Sequence, residues 1–259
     1  SDEVTPNVHP FPGQPCTYPD SLVGQAGYHM GDMACSIGQH TWNAAVWSAH
    51  AATHAAALVL EGERATYALC RPPGHHAYAD RANGFTYLNN AAIAAQYLRR
   101  QHPRVAILDV DVHHGNGTQG IFWRRSDVLT LSLHGDPHFC TPFFTGHAHE
   151  RGEGEGLGYN LNYPLARGTG TDDYLHALAR ACQAIRDFQP GALVVALGLD
   201  AHERDPYKAL AVSTEGFARI TGEIARLGLP TVFVQEGGYL SPDLPLNLAS
   251  ALRGFEAVA

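Results

Sequence analysis

Residues 105–119, VAILDVDVHHGNGTQ, decide the reading of this chain. The stretch opens as an uninterrupted apolar run, VAILDV, and passes directly into acids and histidines. An apolar run without alternation suits a strand buried on both faces, as in a parallel sheet. TYALC (66–70), VLTLSL (128–133), ALVVALG (192–198) and TVFVQ (231–235) repeat the pattern. Between them lie stretches with apolar residues at helical spacing: Thr41 to about Glu61, with a Thr at the N-cap position, then about 89–100, 172–188 and 214–227. This alternation predicts an α/β fold, a central parallel sheet with helices on both faces. Chemistry in such folds gathers at the carboxyl ends of the strands. Three of these strands end in polar clusters, ILDVDVHHGNGTQ, ALGLDAHERDP and QEGGYL, and TYALC runs into RPPGHH.

A chain of 259 residues, 45% of them hydrophobic, can bury a full-sized core, and we read residues 1–259 as a single domain. No apolar run approaches the roughly 20 residues of a membrane span. The opening SDEVTPNVHP is polar and unlike a signal peptide, so the expected location is cytoplasmic. Residue 1 is Ser, and any signal upstream of it would lie outside this sequence. A formal net charge of −8 disfavours nucleic-acid backbones and favours small cations. The five cysteines show no C-x-x-C spacing and read as free thiols in a reducing compartment. Residues 1–40, rich in Pro and Gly, read as an irregular arm or a solvated tail, and Gly146–Gly158 as a flexible loop.

The 16 histidines cluster, and the clusters point to metal chemistry. Asp109, Asp111 and His113 recur at every second residue, so an extended backbone turns all three to one side. Two carboxylates and an imidazole on one face repel or pay for desolvation unless a cation sits among them. Asp200, at the end of another strand, offers a third ligand beside Asp111 and His113. Zn2+ accepts such a set and keeps a position open for water or substrate, while Fe2+ and Mn2+ also suit oxygen-rich ligands. His75 and His76 follow a rigid RPPG turn. One imidazole of such a pair takes a proton from water while the other, protonated, polarises a carbonyl, or one performs both steps in sequence. Asp109 and Asn116 are placed to orient them. Tyr239, after Gly237-Gly238, can donate to a developing oxyanion.

Jointly, RPPGHH (71–76), NGFTYLNN (83–90), LDVDVHHGNGTQ (108–119), LGLD (197–200) and EGGY (236–239) resemble, in order and spacing, the motifs of the histone deacetylase superfamily. Within it, YALCRPPGHHA, GEGLGYNLN and LGLDAHERDP resemble the bacterial acetylpolyamine amidohydrolases. The resemblance implies the arginase-deacetylase fold and a catalytic Zn2+ on Asp111, His113 and Asp200. It assigns His76 as general base and acid, His75 as its partner paired to Asp109, and Tyr239 as carbonyl polariser. Acetate and a free amine would be the products. Phe85 would line the substrate tunnel. Structural K+ would sit at Asp109, Asp111, His113, Ser132 and Leu133, and a second K+ at backbone carbonyls of Phe122, Arg125, Val128 and Tyr159.

The same resemblance makes residues 1–40 a loop insertion that forms a homodimer and narrows the tunnel, and it implies that a strand and helices opening the family fold are absent here. Two further departures stand out. Asn116 occupies a place where some deacetylases carry an aspartate, which implies a less basic His76. Thr141 aligns near the second aromatic wall, with Phe139, Phe143 and Phe144 around it. Glu3 is the candidate to pair with the distal ammonium of a small cationic acetylated amine. The rival readings are a protein lysine deacetylase and an inactive binding module on the same fold.

Overall fold

The computed structural model describes residues 2–11 and 13–259. In chain order they form β1 (Glu3–Val4), α1 (Leu22–Tyr28), β2 (Ile37–Gly38), α2 (Thr41–Leu60), β3 (Ala65–Ala68), α3 (Asn90–Leu98), β4 (Val105–Asp109) and α4 (Asn116–Phe122). There follow β5 (Val128–Gly135), β6 (Asn160–Leu165), α5 (Thr171–Phe188), β7 (Ala192–Leu197), α6 (Thr214–Ala225), β8 (Thr231–Gln235) and α7 (Leu244–Glu256). Strands β3 to β8 build one sheet in the order β3-β8-β7-β4-β5-β6, parallel at every pairing. From β4 the chain steps outward to β5 and β6, then returns to the other side of β4 with β7. The switch point therefore lies between β4 and β7, where α/β sheets open a crevice at their carboxyl ends.

Strand periodicity divides the core into two layers. Val105 and Ile107 of β4, with Val194 and Ala196 of β7, face α2, α3 and Phe122 of α4. Ala106 and Leu108, with Leu193, Val195 and Leu197, face α5, α6 and α7. Each aliphatic side chain fully buried this way contributes about 1.5–3 kcal/mol relative to exposure. The buried faces of α2 and α3 are mostly alanine, Ala52, Ala55, Ala56, Ala91, Ala94 and Ala95 among them, and small side chains let a helix lie close to the sheet. On α5, Leu178, Ala181, Cys182, Ile185 and Phe188 form a buried stripe at helical spacing.

Several local expectations are corrected. Thr41 is the first residue of α2, after the N-cap His40, and its hydroxyl accepts the Gly38 N–H at 2.9 Å. The described residues of the 1–40 stretch are not a solvated tail: β1 pairs with β2, Ser21 caps α1, and the Gly31 N–H donates to the Ala82 carbonyl at 2.7 Å. Strand β6, NLNYPL, carries no apolar run because it is the sheet edge, where Pro164 is tolerated. Its Asn160 and Asn162 side-chain amides both donate to Gln119 Oε1. Segment 146–158 is tied down through Glu150, whose Oε2 accepts the Gly146 N–H at 2.8 Å and the Gln119 amide at 2.7 Å. All five cysteines are free thiols, and among the described residues no helix is long and apolar enough to cross a membrane.

His134 on β5 fastens that loop. Its Nε2–H donates to the Gly146 carbonyl and its Nδ1 accepts the Ser132 hydroxyl, both at 2.8 Å. Burial pushes the imidazole down from 6.5 to about 4. An unfolded histidine takes up its proton at higher pH than this one, so its contribution is complete above pH 6.5 and lost as pH falls to 4. The loss amounts to about 3 kcal/mol. Urea midpoints at pH 7 and pH 4 should show the gap between the parent and H134Q shrinking by that amount.

Candidate metal centre and active site

Strand β4 stops at Asp109, and the next residues fold by side-chain capping of the backbone. Asp109 Oδ1 accepts the Asp111 N–H at 3.1 Å, and Asp111 Oδ1 accepts the His113 N–H at 2.9 Å. These are successive Asx turns. The expected extended backbone with three side chains on one side is therefore corrected: Asp109 points at His75, while Asp111 and His113 converge on Asp200 from the loop after β7. Asp200 Oδ1 accepts the Val112 N–H at 2.9 Å, which locks the β7 loop to the β4 loop across the switch point.

One ligand atom from each of Asp111, His113 and Asp200 lies within 4.8 Å of the others, and all three residues are buried. His113 Nδ1 is 3.2 Å from both Asp111 Oδ1 and Asp200 Oδ2. No donor meets Asp200 Oδ2 with hydrogen-bond geometry, His113 Nδ1 included. Burial and the neighbouring Asp111 raise its carboxyl to about 7. The backbone leaves room for these oxygens only because it lacks side chains there: a Cβ on Gly237 would sit 2.2 Å from Asp200 Oδ2 and 2.6 Å from Asp111 Oδ2. An orphaned carboxylate oxygen, a second carboxylate and an imidazole nitrogen in a cradle kept open by glycine suit a divalent cation.

The histidine pair stands beside this centre, and its surroundings push its two members in opposite directions. Burial alone would lower His75, yet Asp111 and Asp109 outweigh it and raise the imidazole to about 10. Its Nδ1 is 2.9 Å from Asp109 Oδ2. Burial, then the charges of His75 and His113, push His76 well below its ordinary value. Asn116 Oδ1 lies 2.7 Å from His76 Nδ1. An amide oxygen only accepts, so Nδ1 carries the proton and Nε2 keeps a lone pair. Glu236 holds the turn that carries both histidines, its Oε2 accepting the Gly74 and His75 N–H groups at 2.7 and 3.0 Å. Burial raises the Tyr239 phenol well above its usual value, helped by Asp200 and Asp111, so it stays protonated.

These groups open onto a cavity of about 770 Å3 lined by His76, His113, Tyr239, Phe85, Phe143 and Tyr207, among others. Phe85 and Phe143 are half exposed and both adopt positive φ, 67° and 65°. A left-handed backbone is uncommon for bulky residues and concentrates at functional sites. The carboxylates on the lining are Asp32 and Asp80. Glu3 is not brought to this cavity: it accepts the Ser36 hydroxyl at 2.9 Å and lines a second cavity behind Phe85 and Tyr239. Thr141 lines the main cavity together with both Phe143 and Phe144, while Phe139 packs against the core.

Of the residues expected to hold K+, Asp109 and Ser132 are register partners on β4 and β5, with Leu133 next in the strand. In the second set, the Phe122 carbonyl accepts the Arg125 N–H and the Tyr159 carbonyl accepts the Thr130 N–H. The Phe122 carbonyl keeps a further lone pair, while the Tyr159 carbonyl also accepts the Thr130 hydroxyl at 3.4 Å. Glu236, Tyr207, Asp205 and Asp32 were not singled out from the sequence. The EGGY and DPY contexts were visible, but nothing local reveals that Glu236 reaches back 162 residues to Gly74.

An Asp-His-Asp cluster flanked by a polarised histidine pair and a protonated phenol at a parallel-sheet switch point is the equipment of a metal-dependent hydrolase. Residues 14–255 match the histone deacetylase domain, and the chain belongs to that family. An acetylpolyamine amidohydrolase of Burkholderia pseudomallei (strain 1710b) is 52% identical over 237 residues, 92% of this chain and 70% of that protein. The acetylpolyamine amidohydrolase of Mycoplana ramosa is 43% identical over 237 residues, 91% of this chain and 70% of its own length. A crystal structure of acetylpolyamine aminohydrolase from Burkholderia pseudomallei superposes with a TM-score of 0.94 at 49% identity, covering 99% of this chain and 74% of that one. The fold is accordingly the arginase-deacetylase fold expected above.

The cradle generates a direct test. G237A should displace both ligand carboxylates and weaken divalent-metal binding by at least about tenfold. Chelator competition followed by metal analysis measures it, and G170A, whose added methyl meets only the Ala211 carbonyl at 3.9 Å, should bind like the parent.

Proposed function

We propose that this protein is a zinc-dependent deacetylase that hydrolyses N-acetylated polyamines to acetate and the free amine. The observation that carries the reading is the placement of His75 on Asp109 and His76 on Asn116 beside the Asp111-His113-Asp200 cluster. Zn2+ held by those three residues would act as a Lewis acid toward water and the amide carbonyl. His76, neutral with Nε2 unprotonated, takes a proton from the attacking water and delivers it to the leaving nitrogen. His75 stays cationic on Asp109 and supplies positive charge beside the developing oxyanion. The Tyr239 phenol donates a hydrogen bond to that same oxygen as negative charge accumulates. Asn116 holds His76 in the productive tautomer without adding a negative charge. Structural K+ at two sites, one at Asp109, Asp111, His113, Ser132 and Leu133 and one at the backbone carbonyls of Phe122, Arg125, Val128 and Tyr159, belongs to the same family reading.

Acetylpolyamine as substrate is supported by the names of the relatives at 43–52% identity, by aromatic walls suited to a methylene chain, and by the cavity carboxylates. Asp32 replaces Glu3 as our anchor for the distal ammonium, because Asp32 lines the reacting cavity. We read residues 1–259 as one catalytic domain and 1–40 as its dimerisation arm. Phe11, Leu22 and Val23 on that arm are 80%, 83% and 69% exposed, an apolar surface that a homodimer would cover.

On metal-replete protein, acetylputrescine and acetylcadaverine should turn over faster than acetyl-lysine peptides. Equal or better activity on peptides would favour the protein deacetylase reading, and no activity on any of them the binding module. H76A and Y239F should each lower kcat at least about a hundredfold while zinc stays bound. Near-parental turnover in either variant removes that residue's role.

A further inference from the structure

Tyr239 and Tyr207 reach the cavity from different loops, after β8 and after β7, yet one carboxylate holds both. Asp205 Oδ1 accepts the Tyr207 N–H at 2.9 Å, and Asp205 Oδ2 accepts the Tyr239 N–H at 3.1 Å. Asp205 is 2% exposed. It is fixed in a tight turn, its own N–H on the His202 carbonyl and its carbonyl on the Lys208 N–H, both at 3.0 Å. The rings above this clamp pack against each other and on a metal ligand. Tyr207 lies edge-on to His113 at 5.0 Å between centroids and to Tyr239 at 4.6 Å.

On the other side, Tyr239 is joined to the sheet through Gly237-Gly238, with Gly238 at φ 134°. Two glycines give the backbone rotational freedom that a precisely aimed phenol does not tolerate. Leu240, immediately after, is 95% exposed and anchors nothing. Gly237 is tied on the sheet side, its N–H on Asp111 and its carbonyl on the Leu199 N–H, and the backbone bond to Asp205 holds the segment on the far side of the Gly238 hinge.

We propose that Asp205 is a positioning residue that aims the Tyr239 phenol at the reacting carbonyl, by pinning the Tyr239 backbone and the Tyr207 ring packed against it. The proposal rests on the oxyanion role assigned to Tyr239 above. It differs from that role in naming the group that keeps a glycine-hinged side chain in place.

Asparagine at 205 offers one acceptor oxygen and cannot take both N–H groups. D205N should lower kcat at least about tenfold, with a smaller change in KM and unchanged zinc content. In a Y239F background the same substitution should cost less than about threefold, because the group it positions is gone. If the two losses multiply in full, Asp205 acts on the fold at large and the proposal is overturned. If Y239F alone keeps parental turnover, the oxyanion role fails and this proposal with it, an outcome distinguishable from the first. Hydrogen exchange on the parent protein provides a test that does not depend on D205N folding. The Tyr207 and Tyr239 amides should exchange at least about tenfold more slowly than that of Leu240, and equal rates would overturn the clamp.

Discussion

Two carboxylates, Asp111 and Asp200, sit with no solvent exposure at the junction of β4 and β7, and the rest of the active region is arranged around the cost of keeping them there. Paired buried anions in a low-dielectric interior repel strongly and lose their hydration. The backbone meets part of that cost with the N–H groups of Val112 and Gly237, aimed at Asp200 and Asp111 respectively. The His113 ring nitrogen hydrogen-bonds Asp111 Oδ1 and approaches Asp200 Oδ2 without hydrogen-bond geometry. What is left over, an unpartnered oxygen on Asp200, is the demand a divalent cation satisfies. Gly198 and Gly237 are part of the same constraint, since a Cβ at either would come within 2.4 Å of a ligand carboxylate.

The field of that cluster also divides the histidine pair. His75 and His76 are adjacent in sequence, with ring centroids 4.0 Å apart, so two charges there would repel. Asp109 takes the side of His75 and only an amide oxygen faces His76, which decides which ring is cationic. An aspartate at 116 would reduce that asymmetry by favouring the charged form of both rings. The uncharged Asn116 thus preserves the difference between neighbouring rings of one turn, the separation by environment that the proposed acid and base roles require.

Strands β4, β5, β7 and β8 were legible because burial on both faces leaves no room for polar alternation, and their carboxyl ends announced the chemistry by changing composition within a residue or two. Helices α2, α5 and α6 were legible from periodicity. Edge strand β6 was not, because its polar residues belong to a tertiary network with Gln119 and Glu150 that local pattern does not contain. Helix α4, NGTQGIF, has two glycines in seven residues and owes its form to context. Gly117 lets the backbone press on Ala77, where a Cβ would meet the carbonyl oxygen at 2.3 Å. The ligand set could be proposed from residue types alone. The Asx turns that aim it, the Glu236 brace and the Asp205 clamp join positions too distant in sequence for spacing to reveal.

The arm and the aromatic wall are mechanically one unit, and this bears on what the cavity admits. Asp32 belongs to the arm, and its Oδ2 accepts the Gly84 N–H at 2.8 Å. Gly84 has φ 54°, and Phe85 beside it has φ 67°, so two consecutive left-handed residues set the ring against the cavity. A Cβ at Gly84 would meet His76 Cδ2 at 2.4 Å, so the same turn also bounds the base. Holding a phenylalanine at positive φ costs energy that the surroundings must return, and the Asp32 bond is one of the contacts that does so. A carboxylate placed on the cavity lining can therefore serve twice, as a brace for Phe85 and as negative charge along the path of a cationic chain. Because the brace comes from residues 1–40, the selectivity of the cavity depends on a segment whose sequence carries no periodic signal at all.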